Sequence, residues 1–294
     1  MKRRVFKKLT WRRRQQIINA RLAVREVLDP RRPLPDALII GAQRSGTSSL
    51  YKWLEAHPDV GASLRKETEY LTNRFGLGLG WYRGHFPSRL RHRTAALRGH
   101  RLLTFEATPG YLSHPLAAER AAALLPRAKL IVLLRDPAER AISQYVHERR
   151  RNHESLELEE ALAAEPERLA QDLAKLQADP LHPATEWERH SYLARGRYAE
   201  QLERWLGSFD RSQLLIVRSE DLYEDSANVY RTVLSFLQLR EWAPPRFENF
   251  SYVLRPQARR AVPVSDEARA WLRDYFRPHN DRLREMLGRD FEWS

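Results

Sequence analysis

The stretch GAQRSGTS (residues 41–48) combines two glycines, one arginine and three hydroxyl side chains directly after a run of apolar residues. Its spacing, G-x-x-x-x-G, lets a backbone turn so that its N–H groups converge ahead of a helix, whose amino end carries partial positive charge. The stretch therefore predicts a binding site for a phosphate-like anion. A nucleoside triphosphatase would carry lysine after the second glycine, but Thr47 stands there and the cation, Arg44, lies inside the loop. The alternative interpretation is an ordinary strand–turn–helix connection.

A second candidate anion site follows another apolar run, KLIVLL (129–134). Arg135 comes directly after this run, at the carboxyl end of a predicted strand, where open α/β sheets bind ligands. Pro137 suits the first turn of a helix, and Ser143 lies about two helical turns further on, within reach of the same anion. Two anion sites on two strand ends suit a nucleotide that is phosphorylated in two places. The alternative is a surface arginine and an unrelated helical serine.

The elements that must position these residues alternate along the chain. Continuous apolar runs predict strands at 37–41, 101–107, 129–134 and 213–218. Strands that are apolar on both faces and separated by helices indicate a parallel sheet that is covered on both sides. We therefore predict a three-layer α/β fold with a central parallel sheet and a phosphate-binding loop. The helical patterns lie at 47–57, 115–125, 137–151, 197–207, 226–238 and 266–287, and residues 154–180 predict an inserted or lid-side pair of helices.

Composition limits the classes of protein that this chain can represent. Its 294 residues are 42% hydrophobic, which is enough for a substantial core. The chain has no cysteine, so it has neither a disulfide framework nor a thiolate metal site. No spacing of His, Asp or Glu resembles a metal site. No apolar run approaches the roughly 18–20 residues of a membrane span, and the amino terminus lacks a signal-peptide core, so we expect a cytoplasmic location.

The net charge of +13 is concentrated in the first 35 residues, which hold twelve Lys or Arg against Glu26 and Asp29. This predicts two parts, a basic amino-terminal arm or helix (1–35) and one domain (36–294). A basic helix with an apolar stripe can lie on an anionic membrane surface, which predicts peripheral membrane contact through residues 1–30. The sequence supports equally well the alternative that this helix packs on the body and that its arginines are solvated. The stripe consists of Trp11, Ile17, Ile18, Val24 and Leu28.

The two anion motifs together resemble the sulfotransferases that use 3′-phosphoadenosine 5′-phosphosulfate (PAPS). In that family, a loop like GAQRSGTSSL binds the 5′-phosphosulfate, and an arginine and a serine spaced like Arg135 and Ser143 bind the 3′-phosphate. Sulfuryl transfer involves no γ-phosphate and no bridging magnesium, which accounts for the absent lysine. The resemblance extends over most of 36–294 and is to the carbohydrate (heparan-sulfate-like) branch and its bacterial relatives. Its further blocks are RKETEYL (65–71), GWYRGHFP (80–87), FEATPGYL (105–112), RGRYAEQLERWL (195–206) and LRDYFRPHNDRLREMLGRDFEW (272–293).

The resemblance implies a catalytic role for three residues. An acceptor hydroxyl must lose its proton as it attacks sulfur, so a positioned carboxylate is required, and Glu67 has the matching motif position. Lys66 would stabilise the sulfuryl oxygens or bind the substrate, and Arg44 would stabilise the departing 3′-phosphoadenosine 5′-phosphate (PAP). The chain departs from the pattern of this branch at two positions. Arg44 stands where many members have lysine, and Ala107 stands where heparan-type enzymes often have a lysine on the substrate side. Donor binding is implied for Arg44, Ser45, Gly46, Thr47, Ser48, Arg135 and Ser143.

Further residues are candidates by position. Arg259 and Arg260 in RPQARRAVP (255–263) match the late basic loop that closes over the nucleotide in the family. Arg195 or Tyr198 is a candidate for the adenine pocket, with a core aromatic as the alternative for Tyr198. His85 is either an acceptor-side base or a packed histidine, and no residue specifies the acceptor. A carbohydrate or glycolipid hydroxyl is favoured by the resemblance alone.

Two other functions stay open at this stage. A nucleotide or small-molecule kinase is favoured by the strand–loop–helix pattern and by Asp136 near a strand end, but the absent lysine argues against it. A binding protein for nucleic acid or membranes is favoured by the net charge of +13. Because that charge belongs mainly to the arm, we expect no nucleic-acid partner for the body.

Overall fold

A computed structural model of the protein describes residues 11–250 and 262–293. A five-stranded parallel sheet forms its centre, with the strand order β2-β3-β1-β4-β5. The predicted three-layer α/β fold is therefore confirmed, although the short edge strand β2 was missed because three residues are too few for a periodic signal. The strands are β1 (Ala37–Gly41), β2 (Val60–Ala62), β3 (Leu103–Ala107), β4 (Lys129–Leu134) and β5 (Leu214–Arg218).

The central strand β1 shows why helices cover both faces of the sheet. Every residue of β1 is buried, and successive side chains alternate between two separate cores, as the period of a strand requires. Leu38 and Ile40 pack in one core with Trp205, whereas Ile39 packs in the other core with Trp53. The helices are α1 (Trp11–Leu28), α2 (Thr47–Ala56), α3 (Gly78–Gly84), α4 (Arg89–Leu97), α5 (Ala117–Leu124), α6 (Pro137–Arg150), α7 (Leu158–Ala178), α8 (Thr185–His190), α9 (Tyr198–Leu206), α10 (Asp221–Glu224), α11 (Ser226–Leu237) and α12 (Asp266–Leu287).

Residues 154–180 were predicted to form a pair of helices, and this was wrong. The segment forms one helix, α7. A capping box formed by Glu157 and Glu160 stabilises its amino end. Pro166 lies inside α7 and removes one backbone hydrogen bond. The buried positions nevertheless keep a helical period across it, so packing on the body holds one continuous helix. These positions are Leu158, Ala161, Leu162, Glu165, Leu169, Asp172 and Leu176.

Helix α1, the described part of the basic arm, packs against the body along one face. Leu22 is buried, and Arg25 donates a hydrogen bond to the carbonyl of Gly84 in α3 (3.1 Å). Gln15 lies on the same face and accepts from Arg65 (3.1 Å). Two residues of the predicted apolar stripe lie outside this contact, since Val24 is 56% and Leu28 is 76% exposed. Val27 beside them is 81% exposed. The helix thus has a body-facing side and a separate exposed apolar side.

Candidate active site

The anion loop between β1 and α2 depends on its two glycines. A Cβ on Gly41 would lie 2.5 Å from the Cβ of Leu112, and one on Gly46 would lie 2.6 Å from Leu222. Gly46 also has a φ of 89°, in the left-handed region that favours glycine. These constraints turn the chain sharply into α2, which begins at Thr47. Ser45 is fully buried in the turn, and its hydroxyl has no hydrogen-bond partner among the described residues.

The two predicted anion motifs lie side by side because β1 and β4 are adjacent parallel strands. Arg135 donates from Nη1 to the carbonyl oxygen of Arg44 (3.3 Å), and Arg44 donates from Nε to the hydroxyl of Ser143 (3.0 Å). Three residues predicted from two separate stretches of sequence therefore form one cluster at the carboxyl end of the sheet. This arrangement provides two guanidinium groups and a hydroxyl next to the amino end of α2, a donor set that suits an anionic ligand.

The start of helix α6 fixes the orientation of this cluster. Asp136 is the N-cap and accepts hydrogen bonds from the backbone N–H groups of Ala138 (2.7 Å) and Glu139 (3.1 Å). Burial raises the pKa of Asp136, and the two N–H groups act in the opposite direction. Asp136 is thus occupied as a cap, with Pro137 in the first turn as predicted.

Tyr198 is a core residue that supports Arg135 and does not line a pocket. It is 1% exposed, its hydroxyl donates to the carbonyl oxygen of Arg135 (2.8 Å), and its ring lies 5.8 Å from that of Trp293. The structure therefore supports the core-aromatic alternative over a direct adenine contact. Arg195, the other adenine candidate, is buried and donates to the side chain of Gln43. The candidates Arg259 and Arg260 lie outside the described residues.

Lys66 and Glu67 lie next to the amino end of α2, because the segment after β2 ends at the same edge of the sheet as the anion loop. Lys66 donates from Nζ to the hydroxyl of Ser48 (3.2 Å) and lies 3.5 Å from Glu67 Oε1. The Glu67 side chain is 39% exposed, whereas that of Lys66 is 15% exposed. A carboxylate open to an incoming ligand therefore stands beside a cation that faces the anion loop.

Glu106 holds this segment in place, and its role was missed in the sequence. The side chain is fully buried in β3 and accepts hydrogen bonds from Tyr82 (2.6 Å), Thr108 (3.0 Å), Tyr111 (2.9 Å) and Thr68, the neighbour of Glu67. Burial raises the pKa of Glu106, while the four hydroxyl hydrogen bonds act to lower it. A glutamate inside a predicted buried strand was the available signal. Because its oxygens are all occupied, Glu106 positions Glu67 and is not itself open to an acceptor.

His85 matches the packed-histidine alternative. It is 1% exposed, and its ring lies 4.5 Å from that of Trp81. Neither ring nitrogen has a hydrogen-bond partner in the part of the chain that the structure describes. Burial lowers the pKa of His85 to about 3, and Arg65, Arg74 and Arg25 lower it further by charge repulsion. The side chain is therefore a neutral core residue.

A narrow cleft opens beside Glu67. Its cavity volume is about 30 Å³, which is room for about one water molecule. The segment after β2, the loop after β3 and the helix α8 supply most of its walls. Of the residues that line the cleft, the sequence analysis predicted only Glu67 and Arg195 as site residues. The other lining residues are Gln43, Glu69, Thr72, Asn73, Thr108, Gly110, His114, Ala184, Trp187 and Glu188. Over residues 11–250 and 262–293, no cluster of His, Asp or Glu is suited to a metal ion.

Comparison with known proteins places this arrangement in a family. Residues 34–252 match the sulfotransferase domain family, and the chain belongs to it. It is 31% identical over 285 residues to mouse heparan sulfate glucosamine 3-O-sulfotransferase 3B1, a match that covers 89% of this chain and 65% of the mouse protein. It is 27% identical to the membrane-associated sulfotransferase kil1 of Dictyostelium discoideum, covering 89% of this chain and 67% of that protein. A sulfotransferase structure from Alicyclobacillus acidocaldarius matches with a TM-score of 0.64 and 28% identity, over 88% of this chain and 97% of that one.

These matches confirm the resemblance found in the sequence and its sheet architecture. Sulfotransferases are enzymes that bind a sulfate donor and an acceptor, and the family's donor is PAPS. The chain spans slightly less than two thirds of the mouse relative's length. None of the described helices is long and apolar enough to cross a membrane, and the cytoplasmic location stays a prediction.

Proposed function

We propose that this chain transfers a sulfuryl group from PAPS to an acceptor hydroxyl. The observation that carries the proposal is the cluster of Arg44, Arg135 and Ser143, which joins two separate motifs at the ends of adjacent strands. A nucleotide with phosphate groups at both its 3′ and 5′ positions needs two such anion contacts. The unpartnered, buried hydroxyl of Ser45 adds a further donor within the loop.

The proposed reaction is an in-line attack of the acceptor oxygen on sulfur. Glu67 takes the acceptor proton, the new bond forms between the acceptor oxygen and sulfur, and the bond from sulfur to the 5′-phosphate oxygen breaks, so that PAP leaves with the electron pair. Lys66 and Arg44 stabilise the negative charge that develops on the sulfuryl and leaving oxygens. Arg44 retains its proton at all working pH values, so its contribution is electrostatic.

The kinase alternative is not favoured. Its supporting residue, Asp136, is engaged as the N-cap of α6, and Thr47 occupies the position of the phosphate-loop lysine. The matches to sulfotransferases also argue against it. For the acceptor, the relatives' names support a carbohydrate hydroxyl, either of a free glycan or of a glycolipid.

We further propose that the arm of residues 1–35 is a surface-binding attachment to the domain of residues 36–294. One face of α1 contacts the body through Leu22 and Arg25. Packing on the body and contact with a membrane, the two alternatives from the sequence, are therefore compatible because they use different faces of the helix. The opposite side presents exposed Val27 and Leu28 on a helix rich in arginine. This combination suits contact with an anionic membrane surface.

The donor site can be tested by ligand selectivity. Replacing Arg135 with Ala should weaken the binding of PAP about 10–100-fold, because a charge-assisted hydrogen bond contributes about 1.5–3 kcal/mol. Adenosine 5′-phosphosulfate, which lacks the 3′-phosphate, should lose far less affinity. Isothermal titration calorimetry with both ligands measures the difference in affinity. The matched control is Arg127→Ala, because Arg127 is an exposed arginine near the opposite end of β4.

An equal loss of affinity for the two ligands would show that Arg135 has a structural role only. Stabilisation by Mg²⁺–ATP, without stabilisation by PAP, would reject the proposed function in favour of a kinase.

A further inference from the structure

One segment of the domain carries charge of a single sign. Residues 70–105 contain seven arginines and neither aspartate nor glutamate. Without this segment, the domain of residues 36–294 has more acidic than basic side chains, so the segment supplies the domain's net positive charge. Five of the arginines lie on helix α4 or within four residues of its carboxyl end. The seven are Arg74, Arg83, Arg89, Arg91, Arg93, Arg98 and Arg101.

Helix α4 is fixed to the body at its two ends. Asp29, which follows α1, accepts hydrogen bonds from the backbone N–H (3.0 Å) and the side chain (3.1 Å) of Arg89. Beyond the carboxyl end of the helix, Arg101 donates to Asp36 (2.9 Å). All nine residues of α4 are described, and none of them is buried. The outer side of the helix is therefore available to a partner.

The outer side of α4 carries two exposed leucines. Leu90 and Leu97 are 70% and 87% exposed, and their spacing of seven residues places them on one side of the helix, about two turns apart. Arg91 and Arg98 have the same spacing and form a row beside the leucines. A surface helix ordinarily turns its apolar residues toward the core, so α4 has the reverse arrangement. Exposed apolar residues bordered by polar ones are typical of a surface that binds a partner.

Three arginines of this surface lack an acidic partner among the described residues. Arg91, Arg93 and Arg98 are exposed, and their side chains form no ion pair within residues 11–250 and 262–293. Cations of α1 and α4 also repel one another. Burial lowers the pKa of Arg25 in α1, and the positive charges of Arg32 and Arg91 act in the same direction. An anionic partner would relieve this repulsion.

The exposed end of α1 adjoins α4. Leu28 is the last residue of α1 and is 76% exposed. The next residue, Asp29, binds Arg89, and Leu90 follows directly in α4. Two exposed leucines from different helices therefore flank the contact that joins these helices. The apolar and basic surface of α4 is thus continuous with the exposed end of α1.

An anionic lipid bilayer matches both properties of this surface. Its headgroups attract arginine, and its acyl region accepts leucine side chains that would otherwise stay in water. A soluble polyanion, such as a sulfated glycan or a nucleic acid, would use the arginines and leave the leucines exposed. A second copy of the chain would bring arginines against arginines, which is unfavourable.

We propose that α4, with the adjoining end of α1, docks the domain onto an anionic bilayer. Leu90 and Leu97 enter the headgroup region, and the arginines beside them contact lipid phosphates. Helix α4 leads into the amino end of β3, whereas the anion loop lies at the carboxyl end of the sheet. Docking therefore leaves the donor site accessible. The inference assigns membrane contact to the domain itself, beyond the arm, and does not depend on sulfuryl transfer.

A single fluorescent label locates the contact. Because the chain has no cysteine, Thr94→Cys on α4 and the control Ser235→Cys on α11 each give one site for a nitrobenzoxadiazole probe, and both positions are exposed. The full-length protein is mixed with vesicles of phosphatidylcholine, with or without phosphatidylserine. With the anionic vesicles only, emission at position 94 should rise at least about twofold and shift to shorter wavelength, because the probe leaves water. Emission at position 235 should not change.

Two pairs of substitutions separate the apolar from the charged contribution. Replacing Leu90 and Leu97 with serine should lower partitioning onto the anionic vesicles at least about tenfold, but it should leave binding to soluble heparin unchanged. Replacing Arg91 and Arg98 with glutamine should lower the partitioning about 25-fold, since each cation near the surface changes it about fivefold.

A matched control removes the same charge elsewhere. Arg231 and Arg273 are exposed arginines on α11 and α12, and replacing both with glutamine should change the partitioning less than about twofold. All variants should keep the melting temperature of the original chain and its rise with PAP, which shows that they fold. If PAP stabilises none of them, the original chain included, the proposed function fails while the docking result stands.

Several results would overturn the inference. It is wrong if the protein does not sediment with the anionic vesicles, or if it sediments while emission at position 94 stays unchanged, which would assign membrane contact to the arm alone. Undiminished partitioning of the serine variant would mean that the leucines stay in water and that the surface binds a soluble polyanion. A doubled molecular mass in light scattering without lipid, returned to that of one chain by the serine substitutions, would identify a second copy as the partner.

Discussion

Replacing His85 with Leu should make the protein more resistant to acid without reducing transfer activity. His85 is 1% exposed, lies against Trp81, and has no hydrogen-bond partner for either nitrogen in the described chain. Leucine has a similar volume and no polar atom, so it removes the titrating group with little change in packing. The variant also decides between the two roles that the sequence left open for this residue.

The magnitude follows from proton linkage. Burial lowers the pKa of His85 to about 3 in the folded protein, whereas histidine in an unfolded chain titrates near 6.5. As pH falls below about 6.5, the unfolded chain binds a proton that the folded chain refuses, so the free energy of unfolding decreases until the pH approaches about 3. Between about pH 7 and pH 5, this single group accounts for a loss of about 2 kcal/mol.

Urea denaturation at these two pH values measures the effect. The loss of unfolding free energy on acidification should be about 2 kcal/mol smaller in His85→Leu than in the original protein. Packing differences between the two proteins cancel, because each is compared with itself. Leu97→Ala, which changes a side chain that is 87% exposed and does not titrate, provides the control and should leave the pH dependence unchanged.

Two results would refute this reasoning. Parallel pH dependences of His85→Leu and the original protein would mean that His85 is not held neutral by burial. A loss of transfer activity of about 10²-fold or more, with normal PAP binding, would instead identify His85 as the acceptor-side base.

Three further predictions concern the catalytic base, its support and the arm. Glu67→Gln should lower turnover by about 10²–10⁴-fold with PAP affinity retained, and a variant with a tenth of the activity would contradict the assignment. Glu106→Gln should lower the unfolding free energy by about 1–3 kcal/mol, because an amide cannot accept from all four hydroxyl groups, and unchanged stability and activity would reject its positioning role. The full-length chain should sediment with anionic vesicles at low salt, and either added salt or replacement of Val24, Val27 and Leu28 by serine should abolish this binding. Failure to sediment would mean that α1 only packs on the body.

The features that could be predicted from the sequence are those with local signals. Continuous apolar runs predicted four of the five strands, and the edge strand Val60–Ala62 was too short to show a pattern. The glycine spacing of GAQRSGTS and the Arg135–Ser143 pair predicted the anion loop and its partner, because the ends of parallel strands meet at one edge. Residues 154–180 were predicted to form a pair of helices but contain one continuous helix, α7, in which packing on the body compensates for Pro166.

Sequence alone therefore determined which residue types stand at the strand ends, and hence the class of ligand. Tertiary structure decided which carboxylate is open to an acceptor. Glu67 is partly exposed, while Glu106 is enclosed by four hydroxyl groups that come from separate segments. It also decided that His85 is a core residue. Burial and hydrogen-bond partners depend on contacts between residues far apart in the chain, and no local pattern encodes them.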